Sequence, residues 1–410
     1  MTFQFTLASL FVILSLQACL PPPERGANGV RKSDNVAAAK SESPKGEKGN
    51  PAQTGVSNGS ATAGTSAPGA VTTAPANSLP PVTEIEIIQN QTPEIPPVLE
   101  ADSPTLDKAA YLRYPLAENR NLAYVSNRDI TKAAQSIDTV IIIVHGLDRN
   151  PMVYYNSLQA AVKAQGVSEK TWVIAPFFMQ AEDKPLANDL TWEDGNWKEG
   201  ISAKGLSGAA WSSYAALDTV VKALDKPLRF SKLKKIYLVG FSAGGQFMQR
   251  YTVGTKISDD MKRLNFRFVI GSPGSYMYLT PERLKAGSKT VFDRSAVSSC
   301  SGYDDFRYGI NKRPEYLMQS TQADMLARLK YRDIRWISGE ADTSRGGVLD
   351  VECGADLQGA NRFARSQAYF AYVKSLAADH HSKVFSVPGA GHDHDRVFPS
   401  AQGRAAIFND

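Results

Sequence analysis

Residues Tyr237-Leu238-Val239-Gly240-Phe241-Ser242-Ala243-Gly244-Gly245 decide the fold. An apolar strand-like run leads into G-x-S-x-G at 240–244, and Phe247 and Tyr251 then follow at helical spacing. A serine on a sharp turn between strand and helix projects its hydroxyl upward, and its flanking positions must be small because the turn draws backbones together. Ser242 is therefore the candidate nucleophile, and the helix start with the Ala243 amide suits a developing oxyanion. In a chain rich in Gly and Ser the five-residue pattern alone is unremarkable. Its place between strand and helix gives it meaning.

Working outward, short runs of branched apolar residues recur at Thr139–Val144, Trp172–Ala175, Lys235–Val239, Phe266–Ile270, Ile334–Ile337 and Val384–Val387. Between them lie helical patterns, such as Leu217, Val220, Val221 and Leu224, or Phe363, Phe370, Val373 and Ala377. This alternation predicts an α/β fold: a mainly parallel twisted sheet with helices on both faces. In such sheets the chemistry lies beyond the carboxyl ends of the strands.

A serine nucleophile needs a base within hydrogen-bonding reach and an acid that orients the base. The order Ser, acid, His expected on this scaffold points to two loops. Ser338-Gly339-Glu340-Ala341-Asp342 follows one strand, and Pro388-Gly389-Ala390-Gly391-His392-Asp393-His394 follows another. Asp342 and His392 are preferred, with Glu340 and His394 as rivals; Gly391 gives the backbone freedom to place the ring after it. A metal-site reading of the His-Asp-His run is weaker, because no third His or Cys cluster accompanies it. At Val144-His145-Gly146-Leu147, the glycine after the first strong strand lets amides face the reaction centre, and Leu147 is assigned the second oxyanion donor. His145 precedes the nucleophile in the chain and reads as a packed core histidine rather than a catalyst.

With these places identified, the chain resembles an α/β-hydrolase: His145-Gly146, Gly240–Gly244, Gly339–Asp342 and Gly391-His392 match that superfamily in order over most of residues 135–395. Less specifically, it is similar to secreted esterases of the polyhydroxybutyrate-depolymerase and feruloyl-esterase type. The resemblance implies carboxylic-ester hydrolysis through an acyl-serine without metal or cofactor. It does not carry substrate identity, because this chain has long insertions after its strands. Those insertions, Ala181–Gly208 and Gly271–Tyr308, should border the active-site mouth. Trp197 and Tyr276 are the candidate substrate contacts there, and ordinary packing beneath long loops is the competing reading.

The N-terminal quarter differs in kind. Of 38 aromatic residues in the 410, 35 lie from Tyr111 onward, and none lies between Cys19 and Ala110. A stretch without aromatics and rich in Ala, Ser, Thr, Gly and Pro cannot bury enough apolar surface to offset its chain entropy. Residues 19–106 are thus expected to be a disordered linker, with a coil reach of roughly 50 Å, and 107–410 the catalytic domain. Residues 1–18 read as a signal peptide, with Leu7–Leu16 as its apolar core. Leu16-Gln17-Ala18-Cys19 resembles a bacterial lipobox, so Cys19 is expected to carry lipid and anchor the protein to an envelope membrane; plain secretion is the alternative. No Lys or Arg precedes the apolar core, which is unusual for such a signal.

With Cys19 lipidated, the three cysteines leave one pair, Cys300 and Cys353, expected to form a disulfide in an oxidising compartment. A net charge of +5 on 46 basic and 41 acidic residues is too small and dispersed to argue for nucleic acid. The sequence therefore predicts an exported, monomeric serine hydrolase acting on esters, small or polymeric. The competing readings are a peptidase or amidase using the same groups, and an inert binding protein that kept the fold.

Overall fold

The computed structural model describes residues 111–410. The expectations for the signal peptide, Cys19 and the linker lie outside the described residues.

Strand β3 (Thr139–Val144) shows why the sheet forms. Its six residues TVIIIV are all buried, and successive side chains point to opposite faces. Val140, Ile142 and Val144 join one apolar layer, while Ile141 and Ile143 join the other. An unbroken apolar run is what a strand covered on both faces requires. The same two-sided burial recurs in β4 (Thr171–Phe177), β5 (Lys235–Phe241), β6 (Asn265–Gly271) and β9 (Ile334–Gly339).

Eight strands form the main sheet, in the order β1-β2-β4-β3-β5-β6-β9-β10, where β1 is Leu112–Pro115, β2 Asn121–Ser126 and β10 Lys383–Val387. From β4 to β10 the neighbours are parallel, whereas β1–β2 and β2–β4 pair antiparallel. Strands β7 (Arg283–Leu284) and β8 (Phe292–Asp293) make a separate small hairpin. All six strands expected from apolar runs are present. The antiparallel pair β1 and β2 gives a weaker signal: β1 carries a proline and stays half-exposed, and β2 has four buried residues between polar ends.

The helices are α1 (Pro151–Ala164), α2 (Ser213–Ala223), α3 (Ala243–Gly254), α4 (Ile257–Asp260), α5 (Glu315–Met318), α6 (Gln322–Tyr331), α7 (Cys353–Asp356), α8 (Arg362–Leu376), α9 (His394–Val397) and α10 (Ala401–Phe408). Helices α1 and α10 cover one face through Leu158, Ala161, Ala406 and Ile407. Helices α2, α3 and α8 cover the other through Leu217, Val220, Phe247, Tyr251, Tyr369 and Val373. Each large side chain in these layers is almost wholly withdrawn from water, and truncating one, such as Leu238 at 0% exposure, to Ala costs about 2–5 kcal/mol. Helix starts are capped by Ser212, Thr321, Asn361 and Ser400, whose side chains accept from backbone amides one turn on.

Cys300 and Cys353 are joined by a disulfide, with Cα atoms 5.7 Å apart. The bridge ties the insertion after β6 to the segment after β9, the pairing expected from the cysteine count. Among the described residues no helix is long and apolar enough to cross a membrane.

Candidate active site

Ser242 sits where β5 turns into α3, with φ 58° and ψ −120°, a conformation that a side chain adopts only when its surroundings enforce it. Three glycines allow it. A Cβ at Gly240 would lie 2.1 Å from the Gly244 carbonyl oxygen, one at Gly244 would lie 2.1 Å from that of Val144, and one at Gly245 would lie 2.2 Å from that of Gly271. The small residues of the motif are therefore there because three backbones converge under the serine.

The structure brings Ser242, His392 and Asp342 together. The Ser242 hydroxyl donates to His392 Nε2 at 2.8 Å, and His392 Nδ1–H donates to Asp342 Oδ2 at 2.8 Å. Asp342 is 1% exposed, while His392 reaches solvent. Their loops are bound to each other: Ala341 N–H donates to the Ala390 carbonyl at 2.8 Å and Glu340 N–H to that of Val387 at 3.0 Å. The Asp342 carbonyl in turn accepts from Phe363 N–H at the start of α8. The His392 ring is thus aligned by backbone contacts between the two loops as well as by Asp342, and Phe241 packs against it with centroids 5.0 Å apart.

The rivals lie elsewhere. His394 packs on Tyr154, centroids 4.1 Å apart, with its Nδ1 3.1 Å from Asp395, and Glu340 is exposed. His145 is fully buried; Nδ1–H donates to the Gly146 carbonyl at 2.9 Å and Nε2 accepts from Phe178 N–H at 3.1 Å. Burial pushes its pKa down to about 4, so it is a neutral structural pin beneath the loop that carries Leu147. The Leu147 and Ala243 residues both border the space in front of Ser242, and neither backbone N–H has a backbone acceptor among the described residues.

Two expectations are corrected. Trp197 and Tyr276 are 0% and 1% exposed and do not reach the mouth. The short turn Asn196–Glu199 folds Trp197 inward, between His145 at 4.5 Å and Phe178 at 5.9 Å between ring centroids. Tyr276 is stacked on Tyr369 at 4.5 Å, and its backbone is held by Gln358. Both complete the core under the insertions, where a large ring gains most by leaving water.

The cleft in front of Ser242 has a volume of about 390 Å³ and is walled by other residues. Lys198, Gln246, Arg307 and Arg362 contribute polar groups, and Val348 to Glu352 form one side. None of these was read from sequence as a site residue; the one available clue was that Lys198 adjoins Trp197 and that Arg362 opens a helix just after the acid loop. A larger cavity of about 630 Å³ lies at the opposite ends of the strands, among Asp259, Arg328 and Arg332. Its arginines are already paired with Asp259, and its one serine, Ser258, has no hydrogen bond to a histidine. No group of metal-ligating side chains occurs among the described residues.

No protein family and no curated protein matches the chain by sequence. Solved structures do match in shape. LpqC, a poly(3-hydroxybutyrate) depolymerase from Bordetella parapertussis, is 20% identical, with 70% of this chain and 85% of that one covered and a TM-score of 0.51. Poly(aspartic acid) hydrolase-1 from Sphingomonas sp. KT-1 is also 20% identical over 70% of this chain and 94% of its own, with a TM-score of 0.48. The esterase Pf2001 of Pyrococcus furiosus is 16% identical over 70% and 85%, with a TM-score of 0.37. At these identities the likeness is one of architecture. The mainly parallel eight-stranded sheet, its two helical layers and the first of these matches together show that this chain has the α/β-hydrolase fold.

Proposed function

We propose that the protein is an exported serine hydrolase that cleaves carboxylic esters through an acyl-serine intermediate. The observation that carries this reading is the continuous chain from the Ser242 hydroxyl through His392 to Asp342, with both links at 2.8 Å. His392 Nε2 takes the Ser242 proton as Oγ attacks the ester carbonyl. The oxygen that gains charge is met by the Leu147 and Ala243 amides. Asp342 stays ionised and stabilises the imidazolium. Collapse passes the proton from Nε2 to the departing alcohol, and water then repeats the sequence on the acyl-serine, returning the proton to Ser242. No metal or cofactor has a part in these steps.

Export rests on the N-terminal signal pattern, and the Cys300–Cys353 disulfide suits an oxidising compartment. In this reading Cys19 carries the lipid, the linker holds a monomeric domain clear of the membrane, and Cys19→Ser releases the protein from the membrane fraction. The chemistry is tested by fluorophosphonate labelling, followed by turnover of matched esters and amides. Labelling of Ser242 with ester turnover supports the proposal. Faster amide turnover would make the protein a peptidase or amidase, and absence of labelling would leave an inert binding fold.

A further inference from the structure

Three cations line the cleft beside Ser242, and they differ in what answers them. Arg307 is fully engaged: Asp350 lies 3.2 Å away, Glu352 3.1 Å and Glu199 3.7 Å. The Tyr308 hydroxyl also contacts Asp350 and Glu352, at 2.8 and 2.9 Å. The acids of the cleft wall are thereby occupied.

Arg362 is in the opposite situation. It is 5% exposed, it donates no hydrogen bond among the described residues, and its Nε is shut off from solvent without a partner. The nearest carboxylate oxygen, Asp342 Oδ1, is 4.0 Å from Nη1, beyond hydrogen-bond reach. The other oxygen of Asp342 holds His392. Arg362 is also the first residue of α8, whose opening turn contains no acid, so the positive end of the helix adds to the guanidinium. Lys198 is nearly as poorly served: its Nζ is 3.5 Å from the Gly195 carbonyl and 3.8 Å from Glu199, with the side chain 16% exposed. Burial draws its pKa below the usual lysine value.

A largely withdrawn guanidinium whose Nε–H is buried without an acceptor, and whose other donors meet no protein acceptor, has interactions to regain. An anionic oxygen group arriving in the cleft would supply the missing acceptors, and the planar fork of Arg362 fits a carboxylate while Lys198 acts as a point charge. We propose that Arg362 and Lys198 bind a carboxylate borne by the substrate, so that the ester cleaved at Ser242 has an anionic acyl or alcohol part. The inference rests on the serine-hydrolase reading and names its substrate class. Arg362 and Lys198 set specificity; they do not join the proton transfers.

The test compares kcat/KM for two pairs of similar size that differ in charge. Mono(4-nitrophenyl) adipate against 4-nitrophenyl hexanoate places the carboxylate on the acyl side, and 4-acetoxybenzoate against its methyl ester places it on the alcohol side. The wild-type protein should prefer the anionic member of one pair by about tenfold or more, as hydrogen bonds to a charged group allow. The preference should shrink as salt rises from about 50 to about 500 mM. In Arg362→Gln the anionic-to-neutral ratio should fall about tenfold, with Arg362→Lys retaining part of it. Lys198→Gln should lower the ratio through KM. Equal rates within both pairs for the wild-type protein would overturn the proposal, even if Arg362→Gln fails to fold. So would an equal fall of both members in Arg362→Gln, which would mean that Arg362 serves only Asp342. Fluorophosphonate labelling separates the two levels: labelling without charge preference refutes the carboxylate site alone, and no labelling refutes the hydrolase reading beneath it.

Discussion

The Ser242 N–H donates to the Gly271 carbonyl at 2.9 Å, and that same oxygen stands 2.2 Å from where a side chain at Gly245 would begin. One carbonyl at the end of β6 therefore braces the strained turn and excludes any residue but glycine from the third position of the helix after it. Gly245→Ala should force the two backbones apart, at a cost of about 2–4 kcal/mol, and should displace Ser242 enough to lower turnover. Denaturant unfolding with a parallel ester assay reads both. Gly346, whose Cβ would meet nothing closer than 3.9 Å, is the control; Gly346→Ala should leave stability within about 0.5 kcal/mol.

Removing the Ser242 hydroxyl should separate chemistry from folding. Ser242→Ala is expected to abolish fluorophosphonate labelling and to reduce ester turnover by about three orders of magnitude or more, with unchanged thermal unfolding. His392→Ala should match it in turnover. His394→Ala should retain most activity, because its ring packs on Tyr154 and is bound to Asp395. Exchange of the two histidine phenotypes would place the base two residues further along, at the start of α9.

His145 makes a pH prediction. Its folded pKa of about 4 lies below the ordinary 6.5 because burial disfavours the imidazolium. Between these values the unfolded chain binds more protons than the folded one, so stability rises with pH across this window. The contribution is complete above about pH 6.5 and is lost as pH falls toward 4; by about pH 4.5 the loss is about 2–3 kcal/mol. Unfolding titrations of the wild-type protein and His145→Gln at about pH 7 and 4.5 should show a shallower dependence in the variant. Parallel dependences would assign the acid sensitivity to carboxylates.

The disulfide should govern the cleft wall more than the triad. Cys353 directly follows Val348–Glu352, which line the cleft, and the bridge closes a loop of 53 positions. Loop entropy puts its stabilisation at about 4 kcal/mol, an upper figure because strain and residual structure subtract from it. Reduction, or paired Cys300→Ser and Cys353→Ser, should lower Tm and raise KM by a larger factor than it lowers kcat. An equal effect on both constants, or none, would show that the Arg307 ion pairs hold the wall unaided. Intact mass of protein produced under oxidising conditions, before and after reduction, checks the bond itself.

The sequence by itself determined the strands, the turn at Ser242 and the chain order of serine, acid and histidine. These rest on local physics: unbroken apolar runs such as TVIIIV can only be covered on both faces, and G-x-S-x-G marks a turn where a Cβ would strike a neighbouring backbone. The preference for Asp342 and His392 over Glu340 and His394 needed only their places in loops after strands and the freedom that Gly391 gives the ring following it. What the tertiary structure alone decided is which side chains face the cleft. Trp197 and Tyr276 have the composition of a substrate pocket, yet they are buried because the insertions fold back over β4 and α3. Arg307 and Arg362 look alike in sequence, yet one has two carboxylates within hydrogen-bond distance and the other has none. The partners of a charge come from segments tens of residues away, so neither burial nor pairing can be read from its neighbours in the chain.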